Sequence, residues 1–377
     1  MHVGLNLIFL VPGATGGMET YARELIPELV AAAPDHRFTA FVSREGAAGD
    51  GPWHDLDGCV VVPVNSSNRV GWIRGEQQLL APLARRAGVE LVHSLASTAP
   101  AWGPFRRVTT IHDLIYRLVP QAHPGLRSLG MRVLVPLAVR RSDRIIVPSA
   151  STREDLRRVL GVAPERVDVV PHGVGSTPPA TPLSKREVRG RLDARDRQIV
   201  LTVSAKLAHK NLTRLISALA SIAAAERPLL VLPGYPTAHE QELREHARQL
   251  GVEPDVRLLG WVSGAELEAL YGAAACFVFP SLAEGFGLPV LEAMSRGVPV
   301  ACSARGALAE VAGDAALLFN PLKEVEIGQA IRRLIDDRDE AARLASAGRV
   351  RAAQFSWQAA AAGTLAAYRR AVSAALS

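Results

Sequence analysis

Cysteine is scarce in this chain of 377 residues. Cys59, Cys276 and Cys302 are odd in number and far apart, with neither CxxC nor metal-ligand spacing. That excludes a disulfide framework and a cysteine metal site, and the three read as reduced core residues of a cytosolic protein. Long apolar runs are missing too: no stretch reaches the ~18 residues of a membrane span. The start, Met1-His2-Val3, has no basic leader region and no small-residue cleavage site, so membrane contact is expected only as peripheral contact at an inner face. Internal repeats are absent, and the one biased segment is an Ala-rich tail. Acid does not predominate: the formal charge is +6, mostly from arginine. The densest region holds Arg106, Arg107, Arg117, Arg127, Arg132, Arg140, Arg141, Arg144, Arg153, Arg157 and Arg158. Such a surface suits an anionic membrane, an acidic acceptor, or simply solvated helix faces. No nucleic-acid-binding module accompanies it, which disfavours nucleic acid.

What is present is an alternation of short apolar runs with helical patterns, nearly half of all residues being hydrophobic. The length suggests two domains, and the alternation predicts parallel sheets with right-handed crossovers. Val3 to Val11 reads as a central strand, followed by the loop Pro12 to Gly17 and a helix over Met18 to Ala33. Phe38 to Ser43, Val60 to Val64, Leu91 to Ser94, Val108 to Ile111, Arg144 to Pro148 and Val167 to Val170 read as further strands, with Arg74 to Ala87 helical between them. Leu126 to Arg141 reads as a basic amphipathic helix, and Ser151 or Thr152 as N-cap of the helix containing Glu154 to Leu160. Gly175 to Pro182, rich in proline, reads as the inter-domain connection. Beyond it, Ile199 to Val203, Leu229 to Pro233, Val256 to Leu259, Ala274 to Phe279, Pro299 to Ser303 and Leu317 to Pro321 are strand candidates. A helix is expected to open at Lys210-Asn211 and run to Ala225. Asp55-Leu56-Asp57 and Asp337-Arg338-Asp339 have DxD spacing but read as polar connections, and no metal site is expected.

The stretch Pro280 to Ala293, PSLAEGFGLPVLEA, is the most informative. A strand leads into it and a helical pattern, Val290 to Arg296, leads out. Gly285 and Gly287 free the loop backbone for close approach to a ligand, and Pro289 suits a first helical position. Loop amides and helix N-terminus then converge on a small volume favourable to anions and hydroxyl oxygens. Glu284 sits in the loop, and Glu292 about one turn into the helix. Two carboxylates beside a bare amide surface suit a polyhydroxylated ligand carrying phosphate.

Glu284 and Glu292, with Gly285-Phe286-Gly287-Leu288-Pro289 between them, resemble the E-x7-E motif of the retaining glycosyltransferases of the GT-B fold, family 4. The resemblance spans nearly the whole chain. It implies two doubly wound Rossmann-like α/β domains facing a central cleft. The acceptor-side domain covers residues 1–178, completed by a helix at about 357–377, and the donor-binding domain covers 185–356. It implies that Glu284 and the amides of Gly285, Phe286, Gly287 and Leu288 hold the donor sugar and that Glu292 holds the ribose. Gly16 and Gly17 match a GG loop, and Thr110-Ile111-His112-Asp113-Leu114 matches a segment whose His lies beside the reacting sugar. Lys210 matches the lysine that grips the diphosphate. The arginine usual five positions earlier falls on Ala205, which leaves Lys206 as the nearest cation. Gly260-Trp261-Val262-Ser263 stands where the nucleotide base is received, with Trp261 as an apolar wall. His172 replaces a common Asn and is given no part beyond shaping its turn. Catalytic parts are thus expected for His112, Glu284 and Lys210.

The implied activity is retaining transfer of a hexosyl unit from a nucleotide-diphosphate sugar to a hydroxyl of a glycan, glycolipid or small molecule, without metal or cofactor. GDP-mannose is favoured because the run from His112 to Thr152 looks most like bacterial mannosyltransferases of polysaccharide assembly. A sugar-nucleotide epimerase of the same fold and a non-catalytic nucleotide-sugar binding protein are the alternatives.

Overall fold

The computed structural model describes residues 1–119, 126–175 and 183–373. The backbone divides into two compact units, Met1–Gly173 with Ser356–Ser377, and Val174–Phe355. Most of the Gly175 to Pro182 connection lies outside the described residues.

The first unit is built on a seven-stranded, wholly parallel sheet. Its strands are β1 (His2–Leu7), β2 (Arg37–Val42), β3 (Gly58–Val61), β4 (Leu91–Ser94), β5 (Arg106–Thr110), β6 (Arg144–Val147) and β7 (Val167–Val169), ordered β3-β2-β1-β4-β5-β6-β7. Every residue of β1 is buried, as expected of a central strand covered on both faces. The second unit repeats the scheme with β8 (Ile199–Leu201), β9 (Leu229–Leu232), β10 (Val256–Leu258), β11 (Cys276–Phe279), β12 (Val300–Ser303) and β13 (Leu317–Phe319), ordered β10-β9-β8-β11-β12-β13. In both sheets the order reverses beside the first strand, between β1 and β4 and between β8 and β11. Ligands of doubly wound sheets bind at the carboxyl ends of strands at such a reversal. The loops after β1, β4, β8 and β11 are therefore the places to look.

The last described helix, Trp357–Ser373, belongs to the first unit. Tyr368 from it meets His93 of β4, Oη to Nδ1 at 2.7 Å, and Gln358 Nε2 donates to Glu28 Oε1 at 2.7 Å. Arg370 pairs with Asp168 at 2.7 Å, and Asp168 also takes Arg144 at 2.7 Å. Gly173 is needed where this helix begins, because a Cβ there would lie 2.3 Å from the backbone nitrogen of Trp357.

Several local expectations are corrected. The apolar run from Val3 stops being strand at Leu7; Ile8, Phe9 and Leu10 turn at the carboxyl end of the strand but stay buried. Periodicity cannot separate a buried turn from a strand. The segment Arg74 to Ala87 is broken by a π-helical turn, Gly75–Leu79. The N-cap of the helix Ala150–Leu160 is Ser149, whose Oγ accepts from Thr152 N at 3.0 Å, not Ser151 or Thr152. Lys210 ends a 3₁₀ turn, and Asn211 adopts φ 59° before the helix Leu212–Ala220. That helix is shorter than expected. Cys59 is exposed on the edge strand β3, whereas Cys276 and Cys302 are buried.

Candidate functional site

In the second unit the β8 and β11 loops bring Lys210 and Glu284 together. Lys210 Nζ lies 2.6 Å from Glu284 Oε1, with the side chains only 15% and 12% exposed. Asn211 makes this possible: its left-handed backbone reverses the chain, and its Nδ2 donates to the carbonyls of Pro280 at 3.1 Å and Pro321 at 2.7 Å. Burial alone would push the Glu284 carboxyl up, but the Lys210 ammonium, His209 and the Ser281 hydroxyl outweigh it and hold it below the ordinary range. Glu284 is thus a carboxylate facing a cation at the mouth of a glycine loop.

That loop closes onto the helix Leu288–Ser295. Gly287 is its N-cap at φ 120°, and a Cβ there would come within 2.7 Å of Leu308 Cδ2. Pro289 therefore falls at the second helical position. Phe286 is buried, edge-on to Phe355 at 5.8 Å, and Leu288 packs partly buried on the same core. The aromatic anchor fixes the path of the loop while Gly285 and Gly287 carry no side chain toward a ligand.

Glu292, one turn into that helix, is half-buried. Tyr271 Oη donates to its Oε2 at 3.0 Å. Burial pushes the Glu292 carboxyl up, opposed by Tyr271 and Arg296. Arg296 itself is committed to Glu268, with Nε–O distances of 2.9 and 2.8 Å, and lies 4.8 Å over the Tyr271 ring.

Lys206 takes a different course from the one expected. Its side chain is 0% exposed, and its ammonium donates to the carbonyl of Gly234 at 2.6 Å and to that of Leu259. Burial lowers its pKa, with Glu240 opposing. The charge therefore ties together the loops after β9 and β10 instead of pointing outward beside Lys210. Those loops present a stacked pair: Trp261 lies on Tyr235 at 4.5 Å and 27° and is 67% exposed. Val262 packs partly buried against the core.

In the first unit, Gly16 and Gly17 lead into the helix Gly17–Ala32, Gly16 with φ 66°. A Cβ at either position would meet nothing within 4 Å, so the loop is open on that side. Glu19 Oε2 accepts from Gly13 N at 2.8 Å, and Thr15 Oγ1 bonds both the N–H and the carbonyl of Val11 at 2.8 Å, which fixes the loop. His112 follows β5. Its Nε2 donates to Leu95 O at 2.7 Å, and its backbone N–H donates to Ser97 Oγ at 3.2 Å. Burial lowers its pKa, with Leu95 and Asp113 opposing. A neutral ring with Nε2 protonated keeps Nδ1 as an acceptor. Asp113 caps the next turn, Oδ1 accepting from Ile115 N at 2.9 Å.

Sequence reasoning missed four neighbours of these residues. His172 is not merely a turn residue: it is buried against Tyr21 at 4.7 Å, His112 at 5.6 Å and Trp357 at 5.8 Å. Tyr271 and Tyr235 carry no sequence signal of their own, because each acquires its partner from an element distant in sequence, and Asn211, read only as part of a helix start, gains its carbonyl partners from two distant loops. Among the described residues no group of three or more His, Cys, Asp or Glu side chains could hold a metal ion, and no helix is long and apolar enough to cross a membrane.

The family described as glycosyl transferases group 1 matches residues 184–351, and that described as glycosyltransferase family 4 matches residues 15–176. Among curated relatives, O-antigen chain mannosyltransferase B of Escherichia coli is 32% identical over 268 residues, 70% of this chain and 70% of the relative. The MMP alpha-(1->4)-mannosyltransferase of Mycolicibacterium hassiacum is 34% identical over 253 residues, 65% of this chain and 58% of the relative. A D-inositol 3-phosphate glycosyltransferase of Salinispora arenicola is 29% identical over 395 residues, 99% of this chain and 80% of the relative. Among solved structures, sucrose-phosphate synthase from Thermosynechococcus elongatus superposes with TM-score 0.80 at 23% identity, covering 99% of this chain and 100% of that one. Anabaena HepE in complex with UDP-glucose gives TM-score 0.75 at 22% identity, covering 97% and 99%.

Proposed function

The chain belongs to the group 1, family 4 glycosyltransferases of the GT-B fold, and on that premise we propose that it transfers a hexosyl unit, with retention of anomeric configuration, from a nucleotide-diphosphate sugar to a hydroxyl of a glycan, glycolipid or small-molecule acceptor. GDP-mannose is the favoured donor. The mannosyltransferases among its relatives support the sugar.

The observation that carries this reading is the Lys210–Glu284 pair at the carboxyl ends of β8 and β11, with Glu292 one turn further on. Transfer develops positive charge at the sugar C1 and negative charge on the leaving diphosphate. Lys210 turns from Glu284 to the diphosphate and, with the helix N-termini, stabilises that charge without a metal. Glu284 and the amides from Gly285 to Leu288 then take the sugar hydroxyls, and Glu292 the ribose. Trp261 and Val262 border the base, and Lys206 keeps the loop beneath them in place. Gly16, Gly17 and His112 act from the first unit, His112 as an oriented neutral imidazole beside the sugar. The acceptor proton leaves to the donor phosphate, since neither glutamate is placed as a free general base.

The test is incubation of the purified protein with GDP, UDP and dTDP sugars, with and without acceptor sugars. Acceptor-dependent nucleotide release and a product of unchanged anomeric configuration by NMR are expected. An epimerised donor released without acceptor, or binding with no turnover on any donor, overturns the reading.

A further inference from the structure

The first unit holds a buried acid that the reaction above does not use. Glu76 is 2% exposed and lies on the π-helical turn Gly75–Leu79. Such turns insert a residue into a helix and recur at functional sites. Gly75 permits the close approach: a Cβ there would lie 2.8 Å from Val64 Cγ2. Glu76 Oε1 accepts from Asn6 Nδ2 at 2.9 Å and from Thr98 Oγ1 at 3.0 Å, and Oε2 accepts from Gln77 Nε2 at 3.1 Å. The donors' directions are fixed by their other bonds. Asn6 Oδ1 accepts from Ile8 N at 3.3 Å. Gln77 Oε1 accepts from Ala101 N at 3.1 Å, while its Nε2 also reaches Ala99 O at 2.9 Å. Both carboxyl oxygens therefore face donors, an arrangement that fits an ionised group. No cation pairs with it among the described residues.

Thr98 belongs to the loop after β4 that also supplies both hydrogen-bond partners of His112, the Leu95 carbonyl and the Ser97 hydroxyl. Resting on the proposed function, in which His112 acts beside the sugar, we propose that Glu76 is a positioning residue for His112. It anchors Thr98, and through the 95–98 segment it sets the tautomer and orientation of the imidazole. Burial pushes the Glu76 carboxyl up to about 7. Oε1 already accepts two hydrogen bonds and Oε2 one, so an added proton takes the remaining site on Oε2 and cancels the charge that strengthens the bonds to Oε1. Protonation therefore weakens the Glu76–Thr98 bond. The groups facing Glu76 are Asn6, Gln77 and Thr98, none of them titratable. Those around His112 are Asp113, His93, His172 and Tyr21.

Glu76→Gln imitates the protonated acid, since an amide likewise carries no charge to strengthen those bonds. In wild type, kcat/KM for acceptor-dependent transfer rises with pH through about 7 while the nucleotide Kd stays constant. In Glu76→Gln, kcat/KM is about tenfold or more lower at pH 8 and the inflection is lost, the range that removal of an orienting partner produces. The His112 Nε2–H resonance shifts in its ¹H–¹⁵N spectrum. Thr98→Val, which leaves Glu76 in place, flattens the same profile and serves if the first variant fails to fold. A wild-type pH profile together with unmoved His112 signals in the folded variant overturns the proposal. If wild type shows no transfer at all, the proposed function fails, and the imidazole resonance alone then decides: shifted supports the positioning role, unmoved refutes it.

Discussion

Tyr271 and Glu292, from two helices of the second unit, meet through one hydrogen bond of 3.0 Å. The phenol is held from behind by Arg296, which is itself clamped on Glu268. Glu292 thus has its Oε2 fixed, and Oε1 is the oxygen that the proposed function assigns to the ribose. Tyr271→Phe removes the fixing bond and retains the ring. The expected outcome is a donor KM raised about three- to tenfold with kcat nearly unchanged, corresponding to about 1 kcal/mol for the lost bond. Initial rates at varied donor concentration check it, and an unchanged KM removes Glu292 orientation from the account.

Lys210 and Glu284 neutralise each other with little exposure, so deleting either leaves its partner largely buried without its main counter-charge. Lys210→Ala and Glu284→Ala are each expected to lower kcat by about 10²–10³, the scale of losing one electrostatic contact in a transition state. Their circular dichroism spectra should remain those of the wild type. Near-normal turnover in either variant would falsify the site assignment.

Trp261 is mostly exposed and rests on Tyr235. Trp261→Ala should leave the melting temperature unchanged. It should weaken nucleotide binding by about 1–3 kcal/mol, as loss of a stacking surface for one base does. Calorimetric titration with GDP and UDP measures the effect and ranks the two bases.

Gly287 combines φ 120° with a close Leu308 methyl. Gly287→Ala should destabilise the protein by about 1–3 kcal/mol through backbone strain, and, on the proposed function, should lower transfer because the amides assigned to the sugar move with it. Urea denaturation and turnover, measured on the same preparation, are expected to fall together.

Burial pushes the His93 imidazole down to about 3 from 6.5. The unfolded chain then takes up a proton below pH 6.5 that the folded chain refuses. Stability contributed by this group is full above pH 6.5 and is lost as pH falls toward 3. The slope is about 1.4 kcal/mol per pH unit for one such histidine. Burial lowers His112 and His172 as well. Melting curves from pH 7 to 5 should show a steep decline, and His93→Gln should reduce its slope.

The parallel architecture was legible because buried strands and helices leave different periodicities, and the Glu284–Glu292 loop because glycine and proline mark turns locally. Glu76, Lys206 and His172 were not legible in the same way. Lys206 looks like a surface lysine at a helix start, yet two carbonyls from loops 28 and 53 residues away enclose it. His172 looks like a turn residue until Trp357 packs on it from the far end of the chain. Cys59 sits in an apolar-looking run, but its strand is an edge that leaves one face open. For Lys206 and His172 a partner distant in sequence decides burial, for Cys59 the lack of a covering element does, and no local pattern contains either.

The helix Trp357–Ser373 has a consequence for how the protein is made. Its Tyr368, Gln358 and Arg370 complete the first unit, yet they leave the ribosome after the whole of Val174–Phe355. The second unit is contiguous and can close while still attached, as domains generally do during synthesis. The first begins earlier and finishes later. Until that helix arrives, β4 keeps His93 without the Tyr368 hydroxyl and Asp168 waits for Arg370. A nascent chain stalled before the helix should therefore carry a protease-resistant second unit behind an unfinished first one.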